Sequence, residues 1–276
     1  MKTLANKVVA ITGAGSGIGR ALAVRCAGLG ARLALSDVNE ASLDEAVARC
    51  RAVGAEVHRE RVDVGRRDEI YAWAAEVERS LGPAEVIVNN AGVSLSQTVA
   101  DMRDEDFAWL MDINFWGVVH GTRAFLPQLR SRAEGHVVNV SSVFGIIAVP
   151  TQSAYNASKF AVRGFTEALR MELGRTSVRV TCVHPGGIDT NIVTNGRHYR
   201  DPTMRAVDPS ELARAFKRVA RTSPEEAARQ ICGAILAERP RLLIGRDAFV
   251  IDKLQRLLPD AYDRLVGSAM RLIDRK

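Results

Sequence analysis

Tyr155 and Lys159 stand four residues apart, and Phe160, Ala161, Phe165, Ala168, Leu169 and Leu173 follow them at helical spacing. A phenol and an ammonium therefore share one helix face. A phenol with a pKa of about 10 is a poor base at neutral pH, and a neighbouring cation favours its phenolate form. Such a pair can give and take a proton. Ser142 ends the apolar run Val137-Val138-Asn139-Val140, which reads as a buried strand. Its hydroxyl falls at a strand's carboxyl end, where open parallel sheets place their ligands. Tyr-x-x-x-Lys also occurs by chance on surface helices, so its weight comes from the elements around it.

The chain opens with one such element. Lys7 to Thr12 is a short β-branched strand, Gly13-Ala-Gly15-Ser16-Gly17-Ile18-Gly19 follows at once, and a helix runs through Ala21, Leu22, Val24 and Cys26 to Gly28-Leu-Gly30. Strand, glycine turn and helix make a phosphate cradle: glycines let the backbone approach a pyrophosphate, and the helix N-terminus offers free N–H groups. The spacing is Thr-Gly-x-x-x-Gly-x-Gly, neither Gly-x-Gly-x-x-Gly nor a P-loop. A second strand, Ala31 to Ser36, ends at Asp37, about 20 residues after the turn, where a ribose-binding carboxylate is expected. Asp37 would accept from the adenosine 2′-hydroxyl and repel a 2′-phosphate, favouring NAD(H), with NADP(H) kept as the second option; the bland reading is a helix cap.

Helices over about 40–53 and 67–81 alternate with strands over about 55–62 and 85–88, the rhythm of a doubly wound parallel sheet. Asp63-Val64 and Asn89-Asn90-Ala91-Gly92 follow the third and fourth strands on the glycine-turn edge. A long helix is expected from Asp104 to about Arg130, with Asn114 an odd amide among Ile113, Phe115 and Trp116, explicable by a local bend at Asn114 and Gly117. The strand Val178 to Val183 leads into His184-Pro185-Gly186-Gly187-Ile188-Asp189-Thr190 at the same edge. Residues 191–223 lose periodicity and read as a partly helical lid. A helix from Glu225, capped at Ser223, and a strand Arg241 to Ile244 close the sheet. Residues 247–276 form a helical extension in two amphipathic stretches broken at Pro259, suited to packing on the body or on a second subunit; an anionic membrane surface is the less favoured alternative.

Composition excludes other classes. Of 276 residues, 47% are hydrophobic and 25% charged, which is globular rather than disordered or membrane-bundled. The net charge of +6 is scattered among acids, against nucleic-acid binding. Cys26, Cys50, Cys182 and Cys232 are far apart without metal-ligand spacing, so no metal site is expected and reduced thiols fit a cytoplasmic protein. No signal peptide or membrane span is read from the sequence.

Thr12-Gly13-x-x-x-Gly17-x-Gly19, Asn89-Asn90-Ala91-Gly92, Asn114, Ser142, Tyr155-x-x-x-Lys159 and Pro185-Gly186 stand in this order, and with them the chain resembles the compact branch of the short-chain dehydrogenase/reductase family over roughly residues 5–245. The resemblance implies an α/β, Rossmann-type doubly wound parallel sheet of about seven strands, with one cofactor-binding and catalytic domain over 1–246 and the extension after it. It implies hydride transfer between a nicotinamide and a secondary alcohol or ketone. Tyr155 would exchange the proton, Lys159 would bind the nicotinamide ribose and lower the tyrosine pKa, Ser142 would hold the substrate oxygen, and Asn114 would fix a relay water. Ser142, thirteen residues before the tyrosine, is chosen over Ser141.

The cofactor set becomes Gly13, Ser16, Gly17, Ile18, Gly19, Asp37, Asp63, Val64, Asn90, Ala91, Gly92, Tyr155, Lys159, Pro185, Gly186, Ile188 and Thr190. Phe144, Val149, Gln152 and Ile192, beside Ser142 and Tyr155, are the substrate candidates, suggesting a hydrophobic substrate. A homodimer or homotetramer is implied. The alternatives are a sugar-nucleotide epimerase or dehydratase and a non-catalytic dinucleotide-binding scaffold.

Overall fold

The computed structural model describes residues 1–200 and 208–264; the middle of the expected lid and the second half of the extension lie outside the described residues. The strands are β1 (Val8–Thr12), β2 (Arg32–Asp37), β3 (Val57–Arg61), β4 (Val86–Asn89), β5 (Leu95–Ser96), β6 (Gly135–Val140), β7 (Val178–Pro185), β8 (Arg197–His198) and β9 (Arg241–Ile244). The helices are α1 (Gly17–Gly28), α2 (Glu40–Arg51), α3 (Arg67–Leu81), α4 (Asp104–Met111), α5 (Gly117–Ser131), α6 (Ser153–Glu172), α7 (Pro209–Val219), α8 (Pro224–Leu236) and α9 (Arg246–Leu257).

Seven strands form one parallel sheet in the order β3-β2-β1-β4-β6-β7-β9. Its central strands β1, β4 and β6 are buried throughout, which is why they read as near-continuous apolar runs. Alternate residues feed two cores. Val9, Ile11, Val86 and Val88 pack with α1, α2 and α8 on one face. Val8, Ala10, Ile87 and Val137 pack with α3, α5 and α6 on the other.

A polar crossbar runs through the second face. Asn89 Nδ2 donates to Thr122 Oγ1 at 3.1 Å and to Asn139 Oδ1 at 2.8 Å, and Asn139 Nδ2 donates to Thr166 Oγ1 at 3.0 Å. It links α5, β4, β6 and α6, all of which carry or support the site. Asn89, expected just after the fourth strand, instead ends β4 as a buried cross-link.

The expected helix over 104–130 is interrupted. Residues Asp112–Trp116 form a π-turn between α4 and α5, and Gly117 N–H reaches back to Asp112 O. A π-turn widens the helix by one residue and commonly sits at functional positions. Within the segment expected as a lid, the two-residue strand β8 lies parallel to β5 and pairs Leu95 with Arg197 and Ser96 with His198. No residue pattern that short is visible in a sequence. Of the described helices none is long and apolar enough to cross a membrane.

Candidate active site

The glycine turn carries the first half of the site. Gly13 and Gly17 have φ of +64° and +50°, and a Cβ on Gly13 would meet the Ala91 backbone at 2.8 Å. Side chains are thus excluded by conformation and by space. Gly19 lies so close to Gly13 O that any Cβ would collide, which seats α1 on its strand. Asn90 locks the turn from across the sheet: its Nδ2 donates to Thr12 O at 2.9 Å and to Gly13 O at 3.2 Å, while Thr12 Oγ1 accepts from Asn90 N and Ala91 N.

Helix α1 starts with neither a side-chain cap bond from Ser16 nor an acid in its first turn, leaving its N–H groups for an anion. Asp37 stands over the turn, with Oδ2 accepting from Gly15 N at 2.9 Å and Oδ1 from Asn39 N at 3.0 Å. It is not the helix cap; Asn39 is, accepting from Ser42 N. Thr190 lies against Gly17, where a glycine Cβ would meet its Cγ2 at 3.0 Å. Ile188 is buried and bridges to Thr222. Cradle, anion-ready helix end and half-buried carboxylate together fit a dinucleotide.

The second half gathers at the ends of β4, β6 and β7. Tyr155, Lys159, Ser142 and Asn114 are 8%, 3%, 8% and 0% exposed, so all four lie at the floor of the site. Ser142 lies near enough to the Tyr155 phenol to pull its pKa down, and its Oγ accepts from Phe144 N at 3.1 Å. Ser141 points elsewhere and donates to Lys159 O at 2.8 Å. Lys159 Nζ donates to Val140 O at 3.1 Å and lies 5.6 Å from the centre of the Tyr155 ring. Asn114 holds the turn after β4 by its amide: Oδ1 accepts from Val93 N at 2.8 Å, and Nδ2 donates to Val93 O at 2.9 Å and Ser158 Oγ at 3.3 Å. Gly92 packs close to both, and a Cβ there would come within 3.2 Å of Asn114 Oδ1 and 3.5 Å of Lys159 Nζ.

The electrostatics differ from the sequence expectation of a lysine-acidified phenol. Burial pushes the Tyr155 phenol up to about 12, against a smaller downward pull from Ser142. Burial likewise pulls Lys159 down to about 8. Desolvation disfavours both charged forms, so the two side chains rest nearer neutrality than their spacing alone suggests.

Around the phenol lies an apolar wall. Tyr155, Leu95, Leu110 and Ala154 form one cluster with Val93, Trp109, Phe144 and Ile192, and Phe144 meets Tyr155 edge-on at 5.9 Å. Of the expected substrate residues, Phe144 and Ile192 reach this cluster. Val149 does not; it packs with Ile146, Ile147, Ile251 and Tyr262. Gln152 stands at the N-terminus of α6. Asp63 accepts from Gly65 N at 2.9 Å within its own turn, and Val64 packs on Gly117. Pro185 and Gly186 close β7. Val93, Leu95 and Trp109 are not among the sequence candidates; the signal for the first two is apolar residues directly after the Asn90-Ala91-Gly92 turn.

Comparison with known proteins agrees with this arrangement. The family model described as short chain dehydrogenase matches residues 7–201. SadH of Mycobacterium tuberculosis, a protein named as an oxidoreductase, is 44% identical over 273 residues, covering 98% of this chain and 97% of its own length. Estradiol 17-beta-dehydrogenase 11 of Mus musculus is 34% identical over 264 residues, covering 95% of this chain and 83% of that protein. A Burkholderia phymatum short chain dehydrogenase/reductase, solved in complex with NAD, matches with a TM-score of 0.86 at 30% identity over 95% of this chain and 97% of that one. Its sequence, its sheet and the residues at the sheet's carboxyl edge all say the same: this chain belongs to the short-chain dehydrogenase/reductase family.

Proposed function

We propose that this protein is an NAD(H)-dependent oxidoreductase that acts on a hydrophobic secondary alcohol or ketone, with Tyr155 as the proton donor and acceptor. The observation that carries this reading is the meeting of Ser142, Tyr155 and Lys159, all buried, beside the glycine cradle and under an apolar wall. A bound nicotinamide supplies the hydride acceptor or donor. Ser142 holds the substrate oxygen within reach of the phenol. Tyr155 gives that oxygen a proton on reduction and takes it on oxidation. Lys159, fixed to Val140 O, orients a ribose and favours the phenolate whenever it carries its charge. Asn114, on its π-turn, is assigned the relay water that would connect Lys159 to solvent.

Two observations support NAD over NADP. Asp37 presents a carboxylate over the turn, and the arginines of the neighbouring strand are engaged: Arg59 pairs with Glu40 and Asp44, and Arg61 with Glu69. The apolar wall of Val93, Leu95, Phe144 and Ile192 supports a hydrophobic substrate, and the name of the mouse relative makes estradiol a reasonable first probe. A homo-oligomer is supported by Trp116 and Phe160, which are 46% and 42% exposed on the outer side of the helices flanking the site; sedimentation showing only a 30.0 kDa species would remove it.

The test has two arms. NADH and NADPH are titrated by fluorescence against the wild type and Asp37→Ala, and NAD⁺-dependent oxidation of cyclohexanol, 1-phenylethanol and estradiol is followed for the wild type and Tyr155→Phe. The expected result is preferential NADH binding that Asp37→Ala erodes, and turnover that Tyr155→Phe lowers by about 10² to 10⁴. Binding of neither nucleotide would overturn the proposal.

A further inference from the structure

The extension after the last strand touches both loops that frame the site. Helix α9 is anchored to the sheet by Arg241, which pairs with the buried Asp252, and by the buried Ala248. From that anchor Asp247 reaches the turn after β7: its Oδ2 accepts from Gly187 N at 2.6 Å. The carboxylate fits only because Gly186 and Gly245 have no side chain, since a Cβ on either would collide with it. Farther along, Tyr262 reaches the loop after β6, where its hydroxyl accepts from Ala148 N at 3.2 Å. Its ring and Ile251 pack on Ile146, Ile147 and Val149.

That second loop is gripped from the other side as well. Asn156, next to Tyr155 on α6, accepts from Val149 N at 3.2 Å and donates to Phe144 O and Ile147 O, each at 2.8 Å. The loop that begins at Ser142 and carries Phe144 is thus held between α6 and the extension. A loop's exposed backbone N–H groups normally go to water; here Ala148 and Gly187 give theirs to one C-terminal segment.

We propose that residues 246–262 are a positioning element of the active site, in which Asp247 sets the Gly186-Gly187 turn on the nicotinamide side and Tyr262 sets the Ser142–Val149 loop on the substrate side. The assignment of these two sides rests on the oxidoreductase reading given above. Neither residue touches the reacting atoms. Each acts through a backbone amide of a loop that does, so the two should fail separately: Asp247 through cofactor affinity, Tyr262 through substrate affinity.

The experiment uses the full-length protein and the variants Tyr262→Phe, Asp247→Ala and Asp247→Asn, with amide hydrogen exchange, NADH titration and steady-state kinetics on whichever alcohol of the panel the wild type oxidises fastest. Tyr262→Phe keeps the ring and loses the acceptor. It is expected to speed exchange in residues 143–149, leave NADH affinity unchanged, and raise KM about fivefold with kcat held, the weight of one net hydrogen bond. Asp247→Ala is expected to speed exchange at 186–188 and weaken NADH about fivefold, and Asp247→Asn, which still offers an oxygen, to restore it.

Unchanged exchange in both loops would overturn the proposal, as would faster exchange with unaltered KM and NADH affinity. Equal effects of Asp247→Ala and Asp247→Asn would overturn the role given to the Gly187 contact. If the wild type neither binds NADH nor oxidises the panel, the functional reading falls and the positioning role with it, while the exchange data still show whether the extension holds the loops.

Discussion

Burial sets the working state of Tyr155. With its phenol pushed up to about 12 and Lys159 pulled down to about 8, the free protein is loaded to donate a proton rather than to accept one. A base whose pKa lies above the ambient pH gains roughly tenfold in active fraction for each pH unit. Oxidation of an alcohol should therefore accelerate from about pH 7 to 10 while reduction of the matching ketone does not. The profile of kcat/KM in both directions checks this, and a flat oxidation limb would move the proton transfer to another group. Tyr155→Phe should cost about 10² to 10⁴ in kcat with NADH affinity retained, because the ring stays and only the proton is lost. At this scale the sequence was informative about partners and silent about environment. The four-residue spacing puts Tyr155 and Lys159 on one face by helix geometry alone, whereas the direction of their shifts depends on Gly92, Phe144 and Leu95 closing over them, and those contacts come from distant parts of the chain.

At the scale of the element, α1 is the least forgiving. Its Gly19 sits against Gly13 O without room for a methyl group, so Gly19→Ala must lift the helix N-terminus off the cradle. A loss of NADH binding together with a fall in melting temperature is expected, readable by titration and calorimetry. The crossbar makes a different prediction. Asn139→Leu removes one bond each from the Asn89 amide and the Thr166 hydroxyl, which keep Thr122 and Val162 as partners, at a cost of about 0.5–1.5 kcal/mol per lost bond, and denaturant unfolding should show it. Helices α1 to α3 and the sheet strands were legible because their periods are regular over many residues. The break at Asp112–Trp116 was legible only as an oddly placed Asn114, and the β5–β8 pair not at all, since two residues carry no period.

For the molecule as a whole, two buried histidines link stability to acidity. His136 and His184 are each held down at about 4 by burial. His136 shares Thr181 Oγ1 at 2.8 Å, and His184 donates through Nδ1 to Ser142 O at 3.1 Å. Their unfolded pKa is about 6.5, so below that value the unfolded chain binds more protons than the native one. Stability is complete above about pH 6.5 and is lost as pH falls toward 4, by about 3 kcal/mol for each histidine at full titration. Melting temperatures between pH 7 and 4.5 should drop, and less steeply for His136→Gln. Neither histidine announces this in the sequence; their partners Thr181 and Ser142 lie on other segments. The strand alternation did announce the sheet, and its order carries a consequence for synthesis. Strands β3, β2, β1 and β4 are consecutive neighbours and all lie within the first 89 residues. A chain emerging from the ribosome can close this half-sheet before Tyr155 exists, with the buried edge of β4 left open until β6 arrives. That edge, apolar and unpaired for the time it takes to translate some fifty residues, is where a holding chaperone or a wrong partner would first find the nascent protein.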